Sequence, residues 1–137
     1  MGSEAPIQVL MVSYPAQGHI NPLLRLGKCL AAKGLFVTFT TSETAGKVMR
    51  TAHNITEKSV IPVGDGFLKF DFFEDGMADD DDCPKKISLG DLSAQLELFG
   101  KQYVSQMIKK HAEENHPFSC IINHPFVPWV CDVAAEH

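Results

Sequence analysis

The stretch IQVLMVSY (Ile7–Tyr14) is a nearly continuous apolar run without polar alternation. Such a run suits a strand covered on both faces, and therefore a central position in a parallel sheet. From Ile20 to Lys33 the spacing changes: Leu23, Leu26 and Leu30 recur at helical intervals, with Leu24 and Ala31 beside them, giving one apolar stripe. Gly34 stops that helix. LFVTFTT then reads as a second β-run, and Ser42 is placed to cap a short helix through about His53, with Glu43 in its first turn. The order β-α-β-α, with right-handed crossovers, predicts an α/β fold built on a Rossmann-like parallel sheet.

Further along, KSVIPV and FLKFDFF are two extended segments, the first limited by Pro62, which cannot donate to a ladder. EDGMADDDDCPKKISL (Glu74–Leu89) is acidic and aperiodic, an exposed loop in which four adjacent aspartates lack the ligand spacing of a cation site. Leu92, Leu96, Phe99, Tyr103 and Met107 mark a long amphipathic helix ending near Asn115. FSCIINH (Phe118–His124) reads as another buried-type strand, and a further helix begins around Pro128, with Trp129 and Val130 facing the core. There is neither an internal repeat nor an interdomain linker, so residues 1–137 read as one domain.

Composition narrows the function classes. A formal net charge of −5 argues against a broad nucleic-acid face, which needs clustered Lys and Arg; the pairs Lys85-Lys86 and Lys109-Lys110 read as solvated surface. No apolar stretch is long enough to span a bilayer and MGSEAP lacks the features of a signal peptide, so the expected location is cytoplasmic. The 4 cysteines, Cys29, Cys83, Cys120 and Cys131, show no CxxC spacing. That argues against a zinc site and leaves buried free thiols as the expectation. The sequon at Asn54–Thr56 reads as a chance match.

The chemistry concentrates in SYPAQGHINP (Ser13–Pro22), between the first strand and the first helix. In open parallel sheets ligands bind outside the carboxyl ends of strands, near the point where strand order reverses. Gly18 allows a close backbone approach to a ligand, and Pro22 fits a first helical turn, where its missing N–H costs nothing. His19 is thereby held at the helix start, where the dipole favours the neutral ring, able to act as a base. The alternative reading is a histidine that merely caps the helix or packs under a loop. GxGxxG, GxxxxGK[ST] and GxSxG are all missing, which removes the dinucleotide, triphosphate and serine-nucleophile readings.

VLMVSYPAQGHINPLLRLGKCLAAKGLFVTFTT resembles the opening of plant UDP-sugar-dependent glycosyltransferases of the inverting family 1. GDGFLKFDFFEDG and SCIINHPFVPWVCDVAAEH resemble the subgroup acting on hydroxycinnamates such as sinapate, hydroxybenzoates such as gallate, and limonoids. The resemblance implies the N-terminal half of a GT-B fold. Residues 1–137 would be a truncated acceptor-binding domain, with the UDP-sugar-binding domain absent. It implies that His19 is the general base, that Gln17 and Gly18 lie along the donor sugar and phosphate, and that Phe126 lies beside the acceptor. UDP-glucose enters as co-substrate with no cofactor or metal, a phenolic acid is the acceptor, and the full-length protein is expected to be a monomer. Many family members carry an aspartate where this chain has His124, so the usual His-Asp pair is in doubt; Asp132 is a weak substitute, eight residues on. A benzoic or cinnamic acid is already ionised at neutral pH and needs no base, whereas a phenol near pKa 10 does. The expected product is therefore a 1-O-acyl glucose ester. The alternatives are phenol or flavonoid O-glucosylation, and a non-catalytic half that binds an acceptor or a partner.

Overall fold

The computed structural model describes residues 6–15, 17–43, 45–47, 49, 60–74, 89–125 and 127–137. β1 (Gln8–Val12) is followed by α1 (Gln17–Ala32), β2 (Phe36–Ser42), β3 (Val60–Val63) and β4 (Gly66–Phe73). α2 (Leu89–Glu113), β5 (Phe118–Asn123) and α3 (Trp129–Glu136) complete the order. The 5-stranded sheet runs β3-β4-β2-β1-β5. β1 pairs in parallel with β2 and β5, and β2 in parallel with β4. As the uninterrupted apolar run predicts, β1 is buried along its whole length.

Two cores lie on opposite sheet faces. Val9, Met11, Val37, Phe39, Leu68, Phe70 and Phe72 pack under Ile20, Leu24 and Ala31 of α1. Leu10, Val12 and Phe73 pack against Leu96, Val104 and Met107 of α2 and Trp129, Val130 and Val133 of α3. The expected core role of Trp129 and Val130 is thus observed, but the leucine stripe of α1 is corrected: Leu26 is exposed and Leu23 and Leu30 are half-buried, and the buried face runs through Ile20, Leu24 and Ala31 instead. Helix α2 ends as read, with Asn115 at φ 64 and the His116 N–H donating to the His111 carbonyl at 2.8 Å, a Schellman-type stop.

Four further expectations are corrected. β3 is antiparallel to β4, because Gly64-Asp65 forms a two-residue turn between Val63 and Gly66 that returns the chain at once. Pro62 sits on this edge strand, where a missing N–H is tolerated. β5 is an edge strand with exposed residues rather than a buried one, since β1 is its single neighbour. Ser42 ends β2 with its buried hydroxyl unpartnered, so that hydroxyl does not cap the helical residues at 43, 45–47 and 49. Cys29, Cys120 and Cys131 are free but exposed: one on the outer face of α1, one on the edge strand and one on α3. Cys83, the sequon and residues 75–88 of the acidic segment lie outside the described residues.

Candidate active site

Strand order reverses beside β1. From β1 the chain moves through α1 to β2 and on to β4, then α2 carries it back across the sheet to β5 on β1's other flank. The carboxyl ends of β1 and β5 therefore border the crevice where sheets of this kind hold ligands. Residues 13–19 leave the first strand at that point and His124 leaves the second. The two ends are tied together, the His124 N–H donating to the Val12 carbonyl at 3.0 Å.

On the β1 side, the Ser13 N–H donates to the Thr40 carbonyl at 3.0 Å and the Thr41 hydroxyl donates to the Ser13 carbonyl at 3.0 Å. These bonds fix the direction in which the chain departs towards α1. Gln17, Gly18 and His19 are its first three residues. Gly18 is exposed, and a Cβ built there would meet nothing within 4 Å, so its backbone faces open space. The side chains of Gln17 and His19 lie outside the description.

Helix α1 starts three residues before the sequence pattern suggests, and this changes the meaning of Pro22. Instead of occupying the first turn, Pro22 is the sixth residue of the helix. Having no N–H, it cannot donate to the carbonyl four residues earlier, which belongs to Gly18. The Gly18 carbonyl, which points along the helix axis towards Pro22, is therefore left without its helical donor, while the N–H groups of the first turn are the ones that face the crevice.

On the β5 side, His124 is half-buried, with its ring centroid 6.0 Å from that of Tyr14 and the planes tilted by 33°. The side-chain amide of Asn123 donates to the carbonyls of His124 and Val127, both at 3.2 Å, and the Val127 N–H donates to the His124 carbonyl at 3.0 Å. This closes a tight turn around Pro125 and orients the backbone that carries His124. Phe126 lies outside the described residues. Asp132 is exposed in the first turn of α3, a stabilising place for an acid at a helix N-terminus.

The structure thus brings the Gln17–His19 turn and His124 to adjacent strand ends. Sequence reasoning missed Tyr14 and Asn123 as the groups that shape the site. The asparagine was legible in principle, since Asn two residues before Pro is a turn-forming arrangement. Tyr14 reads as the last member of an apolar run, and only the return of β5 shows what lies beside it.

Residues 5–79 match the family model described as Glycosyltransferase, N-terminal domain. Gallate 1-beta-glucosyltransferase of Quercus robur is 58% identical over 134 residues, 98% of this chain and 26% of that protein. Cinnamate beta-D-glucosyltransferase of Fragaria ananassa is 56% identical over 134 residues, 98% of this chain and 24% of that protein. The chain thus spans about a quarter of the length of these relatives. Among solved structures, Os79 from O. sativa in complex with UDP superposes with a TM-score of 0.68 at 28% identity, over 94% of this chain and 26% of that one. The matched residues contain β1, the turn at Gln17–His19, α1 and the β2–β4 half of the sheet, and with them one wall of the crevice: the chain belongs to the glycosyltransferase N-terminal domain family.

Proposed function

We propose that this chain is the acceptor-binding part of a UDP-glucose-dependent glucosyltransferase that makes 1-O-acyl glucose esters of phenolic acids. The observation that carries the reading is the joining of the two strand ends at the sheet's reversal point. The turn bearing His19 and the residue His124 border one crevice, in a chain more than half identical to a gallate and a cinnamate glucosyltransferase.

In this reading a carboxylate oxygen of the acceptor attacks the anomeric carbon of glucose from the face opposite UDP. As the new C–O bond forms, the bond from that carbon to the diphosphate oxygen breaks and its electron pair leaves with UDP, inverting the configuration. His19 orients the nucleophile and, for an acceptor that still carries its proton, takes it as general base, a contribution on the order of 10²–10⁴-fold. Gln17 and Gly18 lie along the donor, with N–H groups of the first turn facing the phosphate. Phe126 flanks the acceptor ring.

His124 replaces the acid that would stabilise a charged His19, and two neighbouring imidazoles oppose each other's protonation. Removing a phenolic proton is therefore disfavoured, while a carboxylate near pKa 4 needs no such step. The donor is held by parts of the protein outside residues 1–137, and the reaction takes place in the cytoplasm, by a monomer, without a metal. The test is the linkage of the product formed from UDP-glucose and a hydroxybenzoic acid by the enzyme containing this chain. Alkali-labile β-glucose esters are expected; alkali-stable phenolic glucosides alone would refute the carboxylate reading.

A further inference from the structure

We propose that the cavity under the C-terminal half of α2 is a second small-molecule site, one that takes a hydroxylated aromatic carboxylate. It encloses ≈ 580 Å³, within the range of about 300–1,000 Å³ usual for ligand pockets. Gln8 and Phe36, the first residues of β1 and β2, form its floor together with Lys69 and Asp71 of β4, and Tyr103 and Met107 of α2 form its roof. It opens at the amino ends of the strands, across the length of the sheet from the crevice at the ends of β1 and β5.

Three groups define what fits. Gln8 is only 7% exposed, and its side-chain amide has no hydrogen bond among the described residues. Its amide atoms keep some access to the cavity, so a molecule held there can hydrogen-bond them. Lys69 is half-buried and has no ion-pair partner among the described residues. Its positive charge is felt across the cavity: His111 is held below its ordinary pKa by burial first, and by Lys69 as a further cause, against the raising effects of its bond to His116 and of Glu114. An ammonium in such a place favours an anion. Asp71 is 8% exposed and accepts the hydroxyl of Tyr103 on one oxygen, leaving further acceptor capacity on the carboxylate.

Lys69 and Asp71 are two residues apart on one face of β4, about 6.6 Å along the strand. Because the lysine stem is long and flexible, its ammonium can reach beyond that backbone spacing to a carboxylate on an aromatic ring whose hydroxyl, at the other end, donates to Asp71. Met107 on the roof offers a thioether that packs well on a π-system, and Phe36, paired with Phe67, closes the apolar end of the cavity. A simple phenol forgoes the bond to Lys69, and benzoate forgoes the bond to Asp71. None of these groups belongs to the proposed transferase machinery, so the second site stands or falls separately from it.

The full chain, labelled with ¹³C at the methionine methyl groups, is titrated with 4-hydroxybenzoate. The Met107 methyl should shift saturably under the ligand's ring current, while that of Met11, buried against α1 on the other sheet face, stays in place. Lys69→Met and Gln8→Leu should each raise the midpoint about tenfold or more, with unchanged far-ultraviolet circular dichroism. On the wild-type chain, phenol and benzoate should each bind more weakly than 4-hydroxybenzoate, which keeps the test decisive if a variant fails to fold. A Met107 methyl that does not move, an unchanged midpoint in a folded Lys69→Met chain, or equal midpoints for phenol and 4-hydroxybenzoate would overturn the proposal.

Discussion

Replacing Pro22 by alanine should stabilise the chain. Pro22 is the sixth of the 16 residues of α1, beyond the turn where proline is free of cost. A proline in a helix interior is about 3 kcal/mol less favourable than alanine, a figure that includes the lost hydrogen bond. Against this, proline restricts the unfolded chain, and giving up that restriction costs roughly 0.4–1 kcal/mol. Some of the penalty is also relieved at Pro22, because Gly18 is exposed and its carbonyl can tilt outwards. The net gain for Pro22→Ala is then about 1.5–2.5 kcal/mol. For 137 residues the unfolding entropy is about 0.29 kcal/mol/K, which converts the gain into a rise in Tm of roughly 5–9 °C. Thermal unfolding followed by circular dichroism measures it. A Tm that is unchanged or lower would refute the reasoning, since it would mean that no helical bond is missing at Gly18.

Three further outcomes follow from the same geometry. Gly100→Ala should lose about 1–2 kcal/mol in urea unfolding: the added carbon would lie 2.6 Å from Trp129 Cη2 and 3.0 Å from Phe73 Cζ, and overpacking of about 1–3 kcal/mol outweighs a helix-propensity gain of up to about 1. Asn123→Ala removes both side-chain bonds that hold the turn after β5, and should cost about 1–2 kcal/mol while displacing the His124 backbone, visible as a change in its amide resonance. Because His111 is neutral-favouring in the fold, chiefly through burial, its contribution is present above the ordinary histidine pKa near 6.5 and is lost as pH falls through the lowered folded value. Comparing denaturant midpoints of the wild-type chain and His111→Gln across pH 7.5 to 5 should show the wild-type chain losing its advantage on acidification; parallel curves would contradict this.

How much of this was legible in the residues depends on what each signal encodes. The apolar run at Ile7–Tyr14 is a local pattern set by burial and appears where it is expected, whereas on α1 several leucines compete for one helix face and the face that is buried runs through Ile20, Leu24 and Ala31, leaving Leu26 exposed. Strand β5 has a sequence as apolar as β1 yet lies at an edge, because composition records what a strand can bury and not how many neighbours it has. The cysteines were misplaced for a related reason: Cys29 lies on the exposed face of α1 and Cys131 at the exposed rim of α3 beside Asn123, and residue type alone does not give a face. At the site, the turn around His19 and the unusual His124 stand out as motifs. Their adjacency is a consequence of α2 carrying the chain back across the sheet, a long-range event with no local trace. Pro22 shows the opposite limit. Its rule was right, but one extra helical turn moved it from a harmless position to one that releases a carbonyl.

The proposed acceptor preference rests on the histidine that stands where an acid would assist proton removal, and kcat/KM of the full-length enzyme carrying His124→Asp, measured in parallel on a phenol and on a benzoic acid, tests it most directly. The account predicts that the phenol gains on the order of tenfold or more while the benzoic acid gains little. An equal gain for both acceptors, or no gain for the phenol, would contradict it.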